Sequence, residues 1–282
     1  MDWQKSKIIL IIALIIANIV LMVMLLFSYS NTRDVSVSKQ SIKSTKDILA
    51  ENEINVQGNI PKNHPALSSL LVEFESYEEE SLNRRFFNSL GAVTNPSPDR
   101  LEINYNNEHI NLFNYRRLFY ENSKKNNNFD VDSLKKAKKI AENFLLNHNY
   151  NIDDMKLSYS YTEAGKYYLN YSKLFEKISL ESSYTNFVID SRGIVSMDRL
   201  WLNVIEKSKT KFTLSSAPRA LLALLDKEEA YGKTITKISE CYYFNPEDQG
   251  YIEDITKALQ GRAVPAWKIE FSDGDNIVID AF

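Results

Sequence analysis

One cysteine, three histidines and eight glycines in 282 residues leave little material for chemistry. The lone Cys241 excludes an internal disulfide and any multi-cysteine metal site, and in a strand-like stretch it reads as a small buried hydrophobe. His64, His109 and His148 stand far apart, and none belongs to an HExxH pair. There is no phosphate-binding glycine loop and no nucleophile elbow. Positive charge is not in excess either. Lys and Arg number 34 against 37 Asp and Glu, a net charge of −3 that excludes the concentrated basic face of a nucleic-acid binder. The sequence thus points away from an enzyme, a metal, a cofactor, a nucleic acid and a small-molecule substrate.

What the chain has in quantity is hydrocarbon near its start. Ile8 to Phe27 is a run of 20 residues without charge, which as a helix covers about 30 Å, the thickness of a bilayer core. A cleaved signal peptide has a shorter apolar region ending at a small-x-small site, and Phe27-Ser28-Tyr29-Ser30 is a poor one. We therefore expect a retained membrane helix. Lys5 and Lys7 ahead of it favour a cytoplasmic N-terminus, with all that follows extracytoplasmic. Asn18 is the single amide in the run, and Ala13 and Ala17 form a small-xxx-small step beside it. Small residues let helices approach closely, and an amide in lipid commonly bonds across them. Ala13, Ala17 and Asn18 are the expected transmembrane interaction face. The competing reading is an amide satisfied by its own helix.

The rest of the chain divides by composition. Residues 1–7 are a leader, 8–27 the span, and 28–51, rich in Ser, Thr and Lys, a juxtamembrane stalk. Residues 52–128 read as a first α+β region, with Ser76 and Glu79 as a capping box opening a helix that Gly91 stops. Alternating residues around Asn106-Asn107 predict a hairpin. Its acidic cluster, Glu73, Glu75, Glu78, Glu79 and Glu80, is a solvated face at a helix start.

Two further segments, 129–208 and 209–282, resemble each other. Each opens with a helix, capped by Asp132 or Ser133 in the first and by Ser215 in the second, and continues into strands. Each carries nearly the same pentapeptide, "NFVID" at Asn186–Asp190 and "NIVID" at Asn276–Asp280. Common order predicts a duplicated helix-plus-sheet unit. Asp273-Gly274 reads as a hairpin turn rather than half a calcium loop. Trp201 and Trp267 are the residues expected to line a partner surface, although aromatic residues in strands equally suit a half-buried sheet. The fold class is α+β: antiparallel sheets packed with helices, behind one transmembrane helix.

The opening Met1-Asp2-Trp3, the basic leader with its immediate span, the "NVQGNIP" stretch at Asn55–Pro61 and the ending "AVPAWKIEFSDGDNIVIDAF" resemble the YycI family. The resemblance implies a non-catalytic, membrane-anchored regulator of a WalK/YycG-like sensor histidine kinase. It also implies an extracytoplasmic domain that binds a YycH-like partner, and a transmembrane helix that acts on the kinase in the lipid. It transfers no catalytic, metal or cofactor residue. An alternative from another class is an extracytoplasmic ligand-binding or peptidase-inhibiting module for which the helix is only a tether.

Overall fold

The computed structural model describes residues 11–24, 37–125, 128–245 and 258–280. Residues 11–24 form helix α1, the described part of the apolar run. The leader, both ends of the run and residues 28–36 of the expected stalk lie outside the described residues. Among the described residues no helix is long and apolar enough to cross a membrane.

Helix α2 (Lys39–Glu51) starts at Ser38, whose hydroxyl accepts from the Ser41 N–H at 3.0 Å. It is not a spacer. Ile42, Thr45 and Leu49 share one face at helical spacing, and Leu49 is wholly buried in the same core as helix α5 (Ala217–Leu222). The second half of the expected stalk therefore belongs to the folded body, because its few apolar residues fall on one stripe.

The chain then runs through β1 (Asn55–Val56), β2 (Ala66–Phe74), helix α3 (Glu79–Phe87) and the meander β3 (Ala92–Ser97), β4 (Arg100–Tyr105), β5 (Glu108–Phe113) and β6 (Arg117–Asn122). Helix α3 begins at Glu78 without a side-chain cap, and Asn88 ends it at φ 51°, three residues before Gly91. The capping box at Ser76 does not form, since the helix starts two residues too late for it. The Asn106 turn does form, with φ 54° at Asn106 between β4 and β5.

Helix α4 (Leu134–Asn147) is capped by Ser133. Strands β7 (Met155–Glu163), β8 (Lys166–Phe175), β9 (Ile178–Asp190), β10 (Gly193–Leu200) and β11 (Leu202–Thr213) follow. Helix α5 is capped by Ser216 rather than Ser215 and leads to β12 (Thr234–Tyr243), β13 (Gln260–Phe271) and β14 (Asn276–Asp280).

The strands join in one mixed sheet, along the path β11-β2-β13-β12-β9-β10-β6-β5-β4-β3. Most pairs are antiparallel, but β12 pairs in parallel with both β1 and β9, so the expected all-antiparallel arrangement is incomplete. The pairing with β1 explains part of the "NVQGNIP" stretch. Asn55 and Val56 lie beside Thr234 and Ile235, and a Cβ on Gly58 would meet the Thr236 carbonyl oxygen at 2.6 Å. Only glycine allows that approach. Helices α3 and α4 cover β4–β6 and β8–β10 over one core, α2 and α5 cover β12–β14 over a second, and β2, β11 and part of β13 close a third.

The two pentapeptides occupy matching places. Each lies in the third strand after a helix, paired antiparallel with the second. Leu169 faces Phe187 and Tyr167 faces Ile189, while Ile269 faces Ile277 and Trp267 faces Ile279. The strand before has a bulge in both cases, between Leu157 and Tyr159 and between Ile235 and Lys237. The segments α4–β7–β8–β9 and α5–β12–β13–β14 thus agree residue by residue in register.

Candidate functional site

Strand β9 changes one of its neighbours along its length, and the site lies where it does. Its end, Thr185–Ile189, pairs with β8 and β10, while its start, Ser179–Glu181, pairs with β12. Ser182 turns the strand at φ 69°, its hydroxyl donating to the Phe244 carbonyl at 2.7 Å, and Ser183 Oγ accepts from the Leu202 N–H at 3.0 Å. The helix-free faces of the two matching segments meet along this line.

They enclose a polar cavity of about 440 Å³ whose lining comes in matched pairs: Ser158 with Thr236, Asn170 with Glu270, Asn186 with Asn276. A second cavity of about 530 Å³ shares Ser158, Ser172, Lys268 and Glu270 with it. At the base Lys268 Nζ donates to both oxygens of Glu181, at 3.0 and 3.1 Å, with both residues buried. Glu270 sits 3.8 Å from the same ammonium and takes Lys237 at 2.5 Å. The ring of Tyr159 closes one end. It lies on Gly274, where a Cβ would come 2.3 Å from the ring, and the backbone there has φ 91°. Both facts demand glycine in the Asp273-Gly274 turn.

Chemically this groove offers hydroxyls, amides and paired charges. Its lining contains no histidine or cysteine. Cys241 is buried, and burial together with the Glu181 charge holds its thiol well above the usual range, so it stays protonated and unreactive. The histidines are dispersed. His64 Nδ1 lies 3.5 Å from the Leu214 carbonyl, His109 Nε2 is 2.7 Å from Asn111 Nδ2, and His148 Nδ1 donates to the Phe144 carbonyl at 2.7 Å. Among the described residues no cluster of three or more His, Cys, Asp or Glu is arranged to hold a metal.

The acidic cluster separates by role. Glu79 and Glu80 lie in the first turn of α3. Glu75 reaches inward to Arg199, accepting at 2.8 and 3.2 Å. Arg199 is enclosed between the rings of Tyr150 and Trp201, 4.6 and 4.4 Å from their centroids, and also donates to Thr185 Oγ1 at 2.8 Å. Sequence patterning misses this Arg199 cluster, since its members come from separate strands and loops.

Trp201 is only 2% exposed and Trp267 fully buried, its indole N–H donating to the Ser215 carbonyl at 2.9 Å. The expectation that both line a partner surface is therefore corrected. Trp267 alternates with Lys268 in β13 and falls on the helix-covered face, and Trp201 is held by the Arg199 stack. In α1, Ala13, Ala17 and Asn18 fall within the described residues, and Asn18 Nδ2 donates to the Leu14 carbonyl one turn earlier at 2.9 Å. That bond uses one of the amide's two N–H groups.

A solved structure of an uncharacterised protein from Eubacterium rectale has a similar fold, with a TM-score of 0.52 at 11% identity over 82% of this chain and 89% of that one. The C-terminal domain of Bacillus megaterium YpeB aligns at a TM-score of 0.41 and 10% identity, over 73% of this chain and 94% of that one. Bacillus subtilis YycH aligns at 0.49 and 13%, over 75% of this chain and 52% of that one. No curated protein matches the chain. The YycI protein family model matches residues 32–282, all of the folded body just described, and the chain belongs to the YycI family.

Proposed function

We propose that this protein is a non-catalytic, membrane-anchored regulator of a WalK/YycG-like sensor histidine kinase. Family membership over residues 32–282 is the observation that carries the reading. In it, residues 8–27 span the membrane with the N-terminus cytoplasmic, and α1 packs through Ala13, Ala17 and Asn18 against the kinase's own transmembrane helices. The extracytoplasmic body binds a YycH-like partner. Such contacts regulate only by binding one signalling state better than the other, since equal affinity for both shifts nothing. Asn18 supports the assignment of the face. Its bond to Leu14 satisfies one N–H, and the remaining amide capacity in lipid favours a neighbouring helix.

Photo-crosslinking from position 18 in native membranes tests this reading, with captured proteins identified by mass spectrometry. Capture of a kinase transmembrane segment is the expected result, and lipid adducts alone would remove α1 from the mechanism. Replacing residues 8–27 by an unrelated membrane helix separates regulator from tether. Kinase output changes if the helix takes part and stays the same if it only anchors.

The polar groove favours a second reading, in which the outer body is a ligand-binding module. A cavity of about 440 Å³ with a buried Lys268–Glu181 pair at its base is large enough for a small polar ligand. Under that reading the helix exchange leaves function intact and substitution of Asn170 or Asn276 abolishes it.

A further inference from the structure

The fold explains the isoleucines and the phenylalanine of the two pentapeptides, but not the asparagine that opens each. Phe187 and Ile189 belong to the core beneath α3 and α4, and Ile277 and Ile279 to the core beneath α2 and α5. Asn186 and Asn276 alternate with them onto the helix-free faces, and both line the cavity of about 440 Å³. Asn170 joins them from β8. Among the described residues no hydrogen bond engages any of these three carboxamides. Each offers two N–H donors and an acceptor oxygen to whatever fills the space.

The remaining lining narrows the chemistry of the occupant. Ligand pockets are mostly apolar, yet among the described residues no aliphatic side chain lines this one; five serines and Thr236 stand beside the amides. An apolar ligand would strip these groups of water and leave them unpaired, which costs binding. The charges are already matched. Lys268 is held by both oxygens of Glu181, and Glu270 by Lys237. An anion would have to displace Glu181 and a cation Lys237, so neither sign of charge is favoured. Peptide recognition draws its specificity from side-chain pockets, which a lining of amides and hydroxyls does not form. What fits is an uncharged molecule whose groups both donate and accept.

We infer that the cavity binds a small neutral saccharide, its hydroxyls bonded to Asn170, Asn186 and Asn276. A sugar hydroxyl donates and accepts at once, as a carboxamide does. The Tyr159 ring, which bounds one end on Gly274, offers its π face to the C–H face of a sugar ring. Each pentapeptide thus supplies one asparagine, from opposite sides of the same ligand. The inference rests on the ligand-binding reading of the outer body and names the class of its ligand.

The test presents the unaltered full chain, in lipid nanodiscs, to an array of neutral mono- to tetrasaccharides and their carboxylated, sulfated and aminated relatives. Retention on at least one neutral saccharide is expected, with its charged relatives held less well. Calorimetry with that saccharide then reads the residues. Asn186→Ala and Asn276→Ala should each weaken binding about three- to tenfold, and the double variant more than either. Asn203→Ala, exposed on β11, should leave binding unchanged. All three variants should keep the circular dichroism and melting temperature of the parent chain. A blank array overturns the inference, as does a preference for the charged relatives, or binding that survives in the double variant. Kinase output in cells carrying Asn276→Ala separates this failure from that of the broader reading. With a blank array and output lost, the groove takes a ligand of another class, and only the saccharide falls. With a blank array and output unchanged, the ligand-binding reading falls with it.

Discussion

Ser158 and Thr236 make the same hydrogen bond in two places. Each sits at the bulge of the first strand after a helix. The Ser158 hydroxyl donates to the carbonyl of Asn170 at 2.8 Å, and the Thr236 hydroxyl to that of Glu270 at 3.1 Å. A bulge leaves one residue outside the ladder, and a short hydroxyl side chain returns it to the opposite strand. The two segments therefore share a local irregularity as well as an order of elements. Ser158→Ala and Thr236→Val should each lower stability by about 0.5–1.5 kcal/mol, read as a shift in urea midpoint at constant slope. A neutral result at both positions would mean the bulge is held by the backbone alone.

The Lys268–Glu181 pair at the base of the groove carries a larger effect. Both groups are buried and each satisfies the other. Removing one partner strands a charge, which costs about 3–5 kcal/mol, whereas replacing both by apolar residues of similar volume is often close to neutral. Lys268→Met and Glu181→Leu should therefore each be strongly destabilising, and the double variant milder than either. Denaturation of the three variants measures this. A double variant as unstable as the sum of the singles would show that Glu270 and Lys237, not the pair itself, depend on these charges.

His148 makes the stability of the body depend on pH. It stacks between Phe86 and Phe144, each ring centroid 4.3 Å away. Burial lowers its pKa below the ordinary value, against the opposing effect of its bond to the Phe144 carbonyl. The unfolded chain thus binds this proton more readily than the folded one, so stability is lost as pH falls through the unfolded value near 6.5 and levels off below the folded one. His148→Leu should flatten that part of the curve between pH 7 and 5. Thermal melts across this range compare the two chains, and identical slopes would assign the dependence elsewhere.

How much of this could be read from the sequence depends on how local each feature is. The two-residue turns are local. Asn106 adopts positive φ between the strands it was expected to join, and Gly274 does the same after Asp273. The register of the pentapeptides follows from alternation, which a strand imposes on any half-buried face. The Lys268–Glu181 pair and the Arg199 stack are not local. Their partners lie 87 and 124 residues apart, and no periodicity announces them. Trp267 was legible in part. "AWKIEF" places Trp, Ile and Phe on one side and Lys and Glu on the other, and the apolar side is the covered one.

Helix α2 bears most directly on how a signal would pass between membrane and body. Read by composition, residues 28–51 are a spacer, and a spacer uncouples what it joins. In the structure Leu49 is fully buried, and Lys46 Nζ donates to the Val56 carbonyl at 3.2 Å, so the helix is fixed to β1 and to the core beneath α5. Leu49→Ala should cost about 2–5 kcal/mol as a buried large-to-small change, while Ile48→Ala, at a position 38% exposed, should cost about 0.5 kcal/mol or less. If α2 were a free stalk the two variants would behave alike. Amide hydrogen exchange gives the same answer without mutation. Protection of residues 42–50 at the level of β12 means α2 opens only with the whole body, and exchange at the rate of an isolated helix would return it to the role of a spacer.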